Sequence, residues 1–427
     1  MSDWKDIKLD DYIVDIAAGP FGSNLKVECF VSSGFPIIDG ANLKEVKVTD
    51  NITKFVTEEK ARSLHRSIAK RNDVVVTISG NVGQISYIPL NSKYEEYLVS
   101  QRQFRVTFDT QKIYVPFLVY YFHSLEGQHK ILSFANQTGV PALAQPLKNF
   151  KNIIIPLPNI KEQKRIASIL VALDNKIENN RRIIANLEQQ SQALFKSWFV
   201  DFEPFKGQPF VESELGMIPQ GWKVVELGDL VEIIDNRGKT PPLVSKDIYP
   251  IIDVKALTGP GRVLNYIKCS KYVNHETYTS WFRNGHPKKY DILLSTVGSL
   301  AETKLFMGGN GCIAQNVVAF RNEKISLYLY DYLNSIKSDL VAYNIGSVQP
   351  SIKITHIIKH KIIVPQAEVL EKYVYLSRKL TEIIYNYSYE IDILSSLRDE
   401  LLPRLMSGEL RVPDTDLIND MLEKGIR

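Results

Sequence analysis

Three cysteines among 427 residues, Cys29, Cys269 and Cys312, are too few and too scattered for a disulfide framework or a zinc site. Their odd number and wide spacing suit a reducing compartment. No run of roughly 18 apolar residues occurs, so no transmembrane helix is expected. The opening stretch MSDWKDIKLDDYIV is acidic and mixed, unlike the basic-then-apolar start of a secretory signal, and points to the cytoplasm. Strong net charge is also missing, at +4 overall, while 44% hydrophobic and 23% charged residues are ordinary for a globular protein. The length predicts two or three domains.

Catalytic motifs are absent as well. DNRGKT has Ile233 where a phosphate-binding loop needs glycine. TPPL carries Thr240 and Leu243 where the acid-amide and aromatic ends of an amino-methyltransferase segment belong. His356 and His360 in HIIKH lack the glutamate of a zinc-protease helix, and MGGNGC reads as a tight turn. No glycine-rich loop follows a strand as a nucleotide or methyl-donor site requires. The chain therefore offers no catalytic apparatus and no metal or cofactor site of its own.

Glycine and proline are missing from one long stretch, Lys161 to Phe199. At 1.5 Å per residue such a helix is about 60 Å long, well beyond typical globular helices. Its apolar residues Ile166, Leu170, Leu173, Ile177, Ile184, Leu187, Leu194 and Trp198 alternate spacings of four and three, with Asn180 and Ser191 in the two remaining seam positions. That is a heptad seam, the pattern of a supercoiled pair more than of a broad core-facing stripe. Moving each position on by 207 residues gives Tyr373, Ser377, Leu380, Ile384, Tyr387, Ile391, Leu394, Arg398, Leu401 and Leu405, a second seam in phase. Two such helices separated by a globular segment can pair antiparallel, with Asn180, Ser191 and Arg398 fixing the register.

The rest of the chain repeats too. DWKDIKLDDYIVDI returns as GWKVVELGDLVEII, aligning Trp4 with Trp222 and Leu9 with Leu227. Further on, Pro36 matches Pro250, Asp39 matches Asp253, Asp73 matches Asp291, Gly80 matches Gly298, Gln101 matches Gln315 and Pro156 matches Pro365. The matches keep their order, so the chain is a tandem duplication. Within each copy DVVVTISG, FRVTF and NIIIPLP read as strands, whereas VPFLVYYFHSLEGQHKILSF and LYLYDYLNSIKSDLVAY read as helices or helix pairs. The predicted fold class is α+β: two tandem-duplicated globular α+β units, residues 1–158 and 219–365, separated by two long antiparallel coiled-coil helices, 159–203 and 366–410. A Pro/Gly/acid-rich connector spans 204–218 and a tail spans 411–427. Net charge is +2 and +6 in the two globular segments and −4 over residues 366–427, and a basic face suits a polyanion.

With this organisation, the stretch IPLPNIKEQKRIASILVALDNKIENNRRIIANLEQQSQALFKSWFVDF closely resembles the specificity subunit of type I restriction–modification systems. Ile155, Pro156, Pro158, Glu162, Gln163 and Ile166 carry the likeness, with Ala172, Leu173, Asp174, Ile177, Leu194, Phe195, Trp198 and Phe199. QTGVPALAQPLKNFKNI has the same look, while the second copy lacks the Glu-Gln pair after its proline. The resemblance implies a non-catalytic DNA-reading subunit, cytoplasmic and prokaryotic, associated with the nucleoid through DNA. Two target recognition domains would each read half of a bipartite sequence in double-stranded DNA, with no membrane partner. The paired helices would set the gap and dock modification (methyltransferase) subunits, two in number, which restriction and motor subunits join in the assembled complex. Methyl-donor and ATP sites would lie on those partners.

Asn and Gln suit adenine edges, Arg and Lys suit guanine edges and phosphates. The candidate DNA contacts are Lys26, Ser79, Asn81, Gln84, Gln101, Arg102 and Gln103 in the first copy. In the second they are Arg237, Lys239, Lys255, Arg262, Lys288, Lys289, Ser299 and Gln315. A duplicated coiled-coil scaffold for proteins is the alternative, and loss of salt dependence in DNA binding would favour it.

Overall fold

A computed structural model of the chain describes residues 4–136, 141–238, 240–313 and 315–413. Lys239 and residues 414–427 of the tail lie outside the described residues. The chain folds as two compact units, one drawn from Met1–Lys176 and Leu394–Arg427, the other from Ile177–Ile393.

In the first unit an antiparallel four-stranded sheet runs in the order Ile13–Ala18, Gln103–Phe108, Val74–Thr77, Ile85–Tyr87. Its centre is the β-branched run that the sequence marked as a strand, and Val74, Val75 and Val76 are fully buried because both faces are covered. A second sheet contains the parallel pairing Ile37↔Leu98 and Ile38↔Val99. A ribbon of Lys5–Lys8 with Ile154–Leu157 closes the domain. The helices Val115–His123 and Leu125–Leu132 form the expected pair, the first buried almost throughout.

The second unit repeats this plan. Its four-stranded sheet has the order Glu232–Ile234, Val317–Arg321, Ile292–Ser295, Thr303–Leu305. Its parallel pairing is Ile251↔Cys312 and Ile252↔Ile313, and its ribbon joins Lys223–Glu226 to Lys361–Val364. The duplication extends to single turns. Asn72 and Tyr290 both have φ of 73°, and the carboxylates of Asp73 and Asp291 accept the backbone N–H of Lys70 and Lys288 at 2.8 and 2.7 Å. Asp39 and Asp253 both cap a short helix, accepting from Ala41 and Lys255. One match moves. The ribbon sets Lys5 opposite Leu157 and Lys223 opposite Val364, so the counterpart of Pro365 is Pro158 and not Pro156. Both prolines then stand immediately after the strand, where a missing N–H breaks no ladder bond.

Two 40-residue helices, Ile160–Phe199 and Ala367–Met406, carry the seams. In the second unit they run antiparallel, since Asn180 donates to Glu390 at 2.8 Å while Phe195 lies 6.1 Å from the Tyr373 ring. In the first, Arg398 donates to Asp174 at 2.9 Å, and Ile166 and Leu170 share a core with Leu405 and Met406. Ile166, Leu170, Ile177, Tyr373, Ile384 and Leu405 are buried. Leu173, Ile184, Leu187, Leu194, Trp198, Leu380, Tyr387, Ile391, Leu394 and Leu401 are half-buried. The buried face is nevertheless wider than a strict seam, because Gln163, Ala167, Phe195, Phe199, Val374 and Thr381 are buried beside it. Each helix packs on a globular domain as well as on its partner, which calls for the broader stripe. Phe199 shows this, lying 4.8 Å from Tyr373 and 4.9 Å from Tyr328.

His123 ends the first buried helix with its Nε2 2.8 Å from the carbonyl of Ile85, and burial holds its pKa below the usual value. The matching place in the second unit is Asn334, which accepts from Thr303 at 2.8 Å. Between the lowered folded-state pKa and the ordinary 6.5, the unfolded chain binds more protons than the folded one. The stability due to neutral His123 is therefore present above about pH 6.5 and is lost as pH falls below it. His123→Asn is expected to reduce the fall in urea midpoint between pH 7 and pH 5, followed by circular dichroism. An identical fall in both proteins would exclude His123 as its source.

Candidate nucleic-acid interface

The open end of the first unit's main sheet is made by two adjoining loops. Ile78–Gln84 connects two strands, and Ser100–Arg102 enters the central one. They are held together by the backbone N–H of Ile78 donating to Arg102 at 2.7 Å, and the second loop is tightened by Gln103 N–H donating to Ser100 at 3.0 Å. Gly80 has φ of +89°, a conformation that favours glycine, and its N–H donates to Pro141. Gly19 meets a harder demand, since a Cβ there would stand 1.9 Å from the carbonyl oxygen of Ser100.

These loops border a groove of about 600 Å³ lined by Ser79, Asn81, Gln84, Gln101, Arg102 and Gln103, with Asp39, Gly40 and Lys54. Six of the seven candidates chosen in this copy therefore come together, and the seventh, Lys26, is exposed between the lining residues Leu25 and Val27. Their access differs. Gln101 and Arg102 are exposed, whereas Gln103 is buried at 1% exposure and accepts a bond from the Ser100 hydroxyl, which makes it floor more than edge. The Asp39 carboxylate is occupied by Lys54 at 2.7 Å and by its own helix cap. Arg102 has no acidic partner among the described residues.

The second unit builds the same loops. Gly298 has φ of +87° and donates to Pro350, and the N–H of Thr296 donates to Asn316 at 2.9 Å. Ser299 is exposed at the place of Asn81. Gln315, at φ of +45°, donates through Nε2 to Thr240 at 2.6 Å. Glu302 stands where Gln84 does and is bound by Lys337 at 2.9 Å. Lys255 is exposed just after the Asp253 cap. Arg237 is forked onto Asp235 at 2.8 Å; burial pushes that carboxyl up, but the Arg237 bonds prevail and hold it below its usual value. Lys288 and Lys289 precede the strand Ile292–Ser295, at the end opposite the Gly298 loop, and Lys289 lies 3.9 Å from Glu382.

Arg262 requires a correction. It is fully buried. Its Nε donates to Glu188 at 3.0 Å, Nη1 to Thr381 at 2.9 Å and Nη2 to Asp331 at 3.4 Å. Tyr373 donates to the same Asp331 at 2.7 Å. Beneath the GPG turn that precedes Arg262, buried Lys304 donates to the carbonyls of Gly259, Pro260 and Gly261. Arg262 fixes this turn to the two long helices and presents nothing to a ligand. The sequence disguised it because a basic residue in a Gly/Pro loop normally faces water.

Asn316 was missed. It occupies the place of Arg102, as the paired backbone bonds to Ile78 and Thr296 establish. Extending the match of Gln101 with Gln315 by one residue would have found it. Elsewhere His360 bonds the Tyr343 hydroxyl through Nδ1 at 2.9 Å. Among the described residues no group of three or more His, Cys, Asp or Glu is arranged to hold a metal, and no helix is long and apolar enough to cross a membrane.

Comparison with known proteins places this geometry in context. The family described as the type I restriction modification DNA specificity domain matches residues 1–189 and 219–401. The MjaIX specificity subunit of a type I restriction enzyme from Methanocaldococcus jannaschii is 28% identical over 96% of this chain and 94% of its own. The HindI specificity subunit from Haemophilus influenzae is 23% identical over 96% of this chain and 100% of its own. Among solved structures, the S subunit of a type I restriction–modification system from M. genitalium superposes with a TM-score of 0.60 at 17% identity, covering 97% of each chain.

The structural role of Arg262 yields a direct test. Arg262→Ala leaves the buried Asp331 and the half-buried Glu188 without their cation, and is expected to destabilise the protein by about 3–5 kcal/mol in chemical denaturation. Lys289→Ala, removing an exposed cation, is expected to change stability by less than about 0.5 kcal/mol. Comparable small losses in both would refute the anchoring role.

Proposed function

The chain belongs to the family of type I restriction–modification DNA specificity proteins, and from that membership we propose how it works. It is the non-catalytic subunit that supplies a modification complex with its DNA target. Each globular copy reads one half of a bipartite duplex sequence, and the long helices set the unread gap between the halves. The helices also dock two modification subunits, through which the restriction and motor subunits join. Methyl transfer and ATP hydrolysis belong to those partners.

The observation that carries this reading is the doubled loop. The same pair of loops, at Gly80 and Gly298, ends the same sheet in each copy, and each copy runs on into a 40-residue helix. A rigid spacer selects half-sites by their separation, because equivalent major-groove positions recur about every 34 Å along the duplex. Amides, hydroxyls and an arginine around the Gly80 loop match the donors and acceptors of base edges. Exposed Tyr375, Leu376, Ile383, Tyr389 and Ile393 give the second long helix apolar surface for a docked subunit.

The test is a genome-wide map of methylated bases in a host carrying the modification subunit, with and without this chain. One split motif, two short specified halves around a fixed gap, should vanish when the chain is removed. Exchanging residues 1–150 for those of another family member should change one half and leave the other. An unchanged map, with the chain expressed and bound to its partner, would overturn the reading.

A further inference from the structure

At one position beside these loops the two copies differ in a way that has a chemical direction. In each copy a glutamine is folded onto a neighbouring loop. Gln101 lies over the Gly22 backbone, its Oε1 2.7 Å from where a Cβ on that glycine would be, and Gln315 is bonded to Thr240. The next residue carries the free functional group: Arg102 in the first unit and Asn316 in the second. The backbone carbonyl of each is fixed by the strand-end N–H of Ile78 or Thr296, so both side chains start from the same place. The Arg102 guanidinium lies beside Gly80, its Nη1 3.8 Å from a Cβ built there, an ordinary van der Waals distance. Among the described residues neither the Arg102 guanidinium nor the Asn316 amide has a hydrogen-bond partner.

We propose that Arg102 and Asn316 each specify one base, guanine in the half-site read by the first unit and adenine at the equivalent position of the half-site read by the second. The proposal rests on the bipartite DNA reading above and deepens it. Guanine presents two acceptors, O6 and N7, to the major groove, which a guanidinium fork satisfies with two donors. Adenine presents N6–H₂ as donor and N7 as acceptor, which a carboxamide satisfies with one of each. Replacing Arg by Asn at one place in a duplicated scaffold therefore exchanges guanine for adenine without altering the loop that holds the residue. Near Asn316, Glu302 is bound to Lys337 and Arg237 to Asp235, so neither of these competes for the base.

The experiment compares methylation maps of hosts expressing the modification subunit with the wild-type chain, Arg102→Asn, Arg102→Lys or Asn316→Arg. The assembled complexes are checked for equal melting temperature. The wild-type motif should hold guanine in one half and adenine at the equivalent position of the other. Arg102→Asn should move preference at that guanine towards adenine, Asn316→Arg should do the reverse in the other half, and each should leave the opposite half untouched. Loss of discrimination at the altered position is expected to be roughly five- to a hundredfold. Arg102→Lys keeps the charge but lacks the planar fork, so it should weaken the guanine preference at that one position and leave the rest of the motif as it is. Even weakening of modification across the whole motif in the Arg102 variants, with no change of preferred base at that position, would mark a phosphate contact and overturn the proposal. So would unaltered motifs in the asparagine and arginine variants while exchange of residues 1–150 still changes one half, an outcome that leaves the bipartite reading intact. Absence of any split motif with the wild-type chain would defeat both.

Discussion

Neither of the two largest hydrophobic cores closes with the residues of its own globular segment. Leu405 and Met406, from the last turn of the second long helix, are buried with Phe117, Leu118 and Tyr121 in the first unit. Phe195 and Phe199, from the last turns of the first long helix, are buried with Tyr328 and Tyr373 in the second. Apolar burial of this kind, at roughly 1.5–3 kcal/mol for a large side chain, makes the helix exchange a condition of folding. The loops at Gly80 and Gly298 stand on sheets whose backs are covered in this way. Their geometry is then inherited from packing, which leaves loop side chains free to vary in chemistry.

The polar members of the seam restrict how the helices meet. A buried amide or guanidinium that misses its partner is left unsatisfied in an apolar setting, at a penalty of about 1–3 kcal/mol or more. Asn180 finds Glu390 through its Nδ2, and Arg398 finds Asp174 while also bonding its neighbour Asp399; Ser191 does not join them, since its hydroxyl, like the Asn180 Oδ1, is buried without a partner among the described residues. A slip by one heptad would preserve most apolar contacts and break both pairings, so it is these residues that select a single register. The Asp174 carboxylate also accepts from the Tyr120 hydroxyl at 2.5 Å, which ties the register of the helices to the globular domain beside them.

Much of this was written in the sequence in readable form. Alternating four- and three-residue spacing marks helices that pack along one side, and runs such as VVVT mark buried strands, because each pattern is a local consequence of burial. The duplication was legible for a similar reason, since turns at Asp73 and Asp291 or Gly80 and Gly298 need particular residues. What could not be read depended on tertiary partners. The width of the helical stripe at Phe195 and Phe199 follows from a core assembled elsewhere in the chain. Arg262 looks like any surface arginine until Glu188 and Asp331 are seen around it. Proline marks a strand end in both copies, but only the ladder of Lys5 with Leu157 decides which proline is equivalent. The groove beside Gly80 was anticipated through residues adjacent in sequence, while Gln103, in the same run, turned inward.

The exchange of helices also bears on synthesis. Residues Ile177–Ile393 are contiguous, so the second unit has all its parts once Ile393 has been made. The first unit is not contiguous, and its core waits for the segment that begins at Leu394. At translation rates of about 5–20 residues per second, the ribosome takes on the order of ten to fifty seconds to pass from one part to the other. Throughout that interval the nascent amino-terminal domain exposes the apolar face that Leu405 and Met406 later cover. The domain begun first is thus the one finished last, and chaperone holding during elongation has a defined surface on which to act.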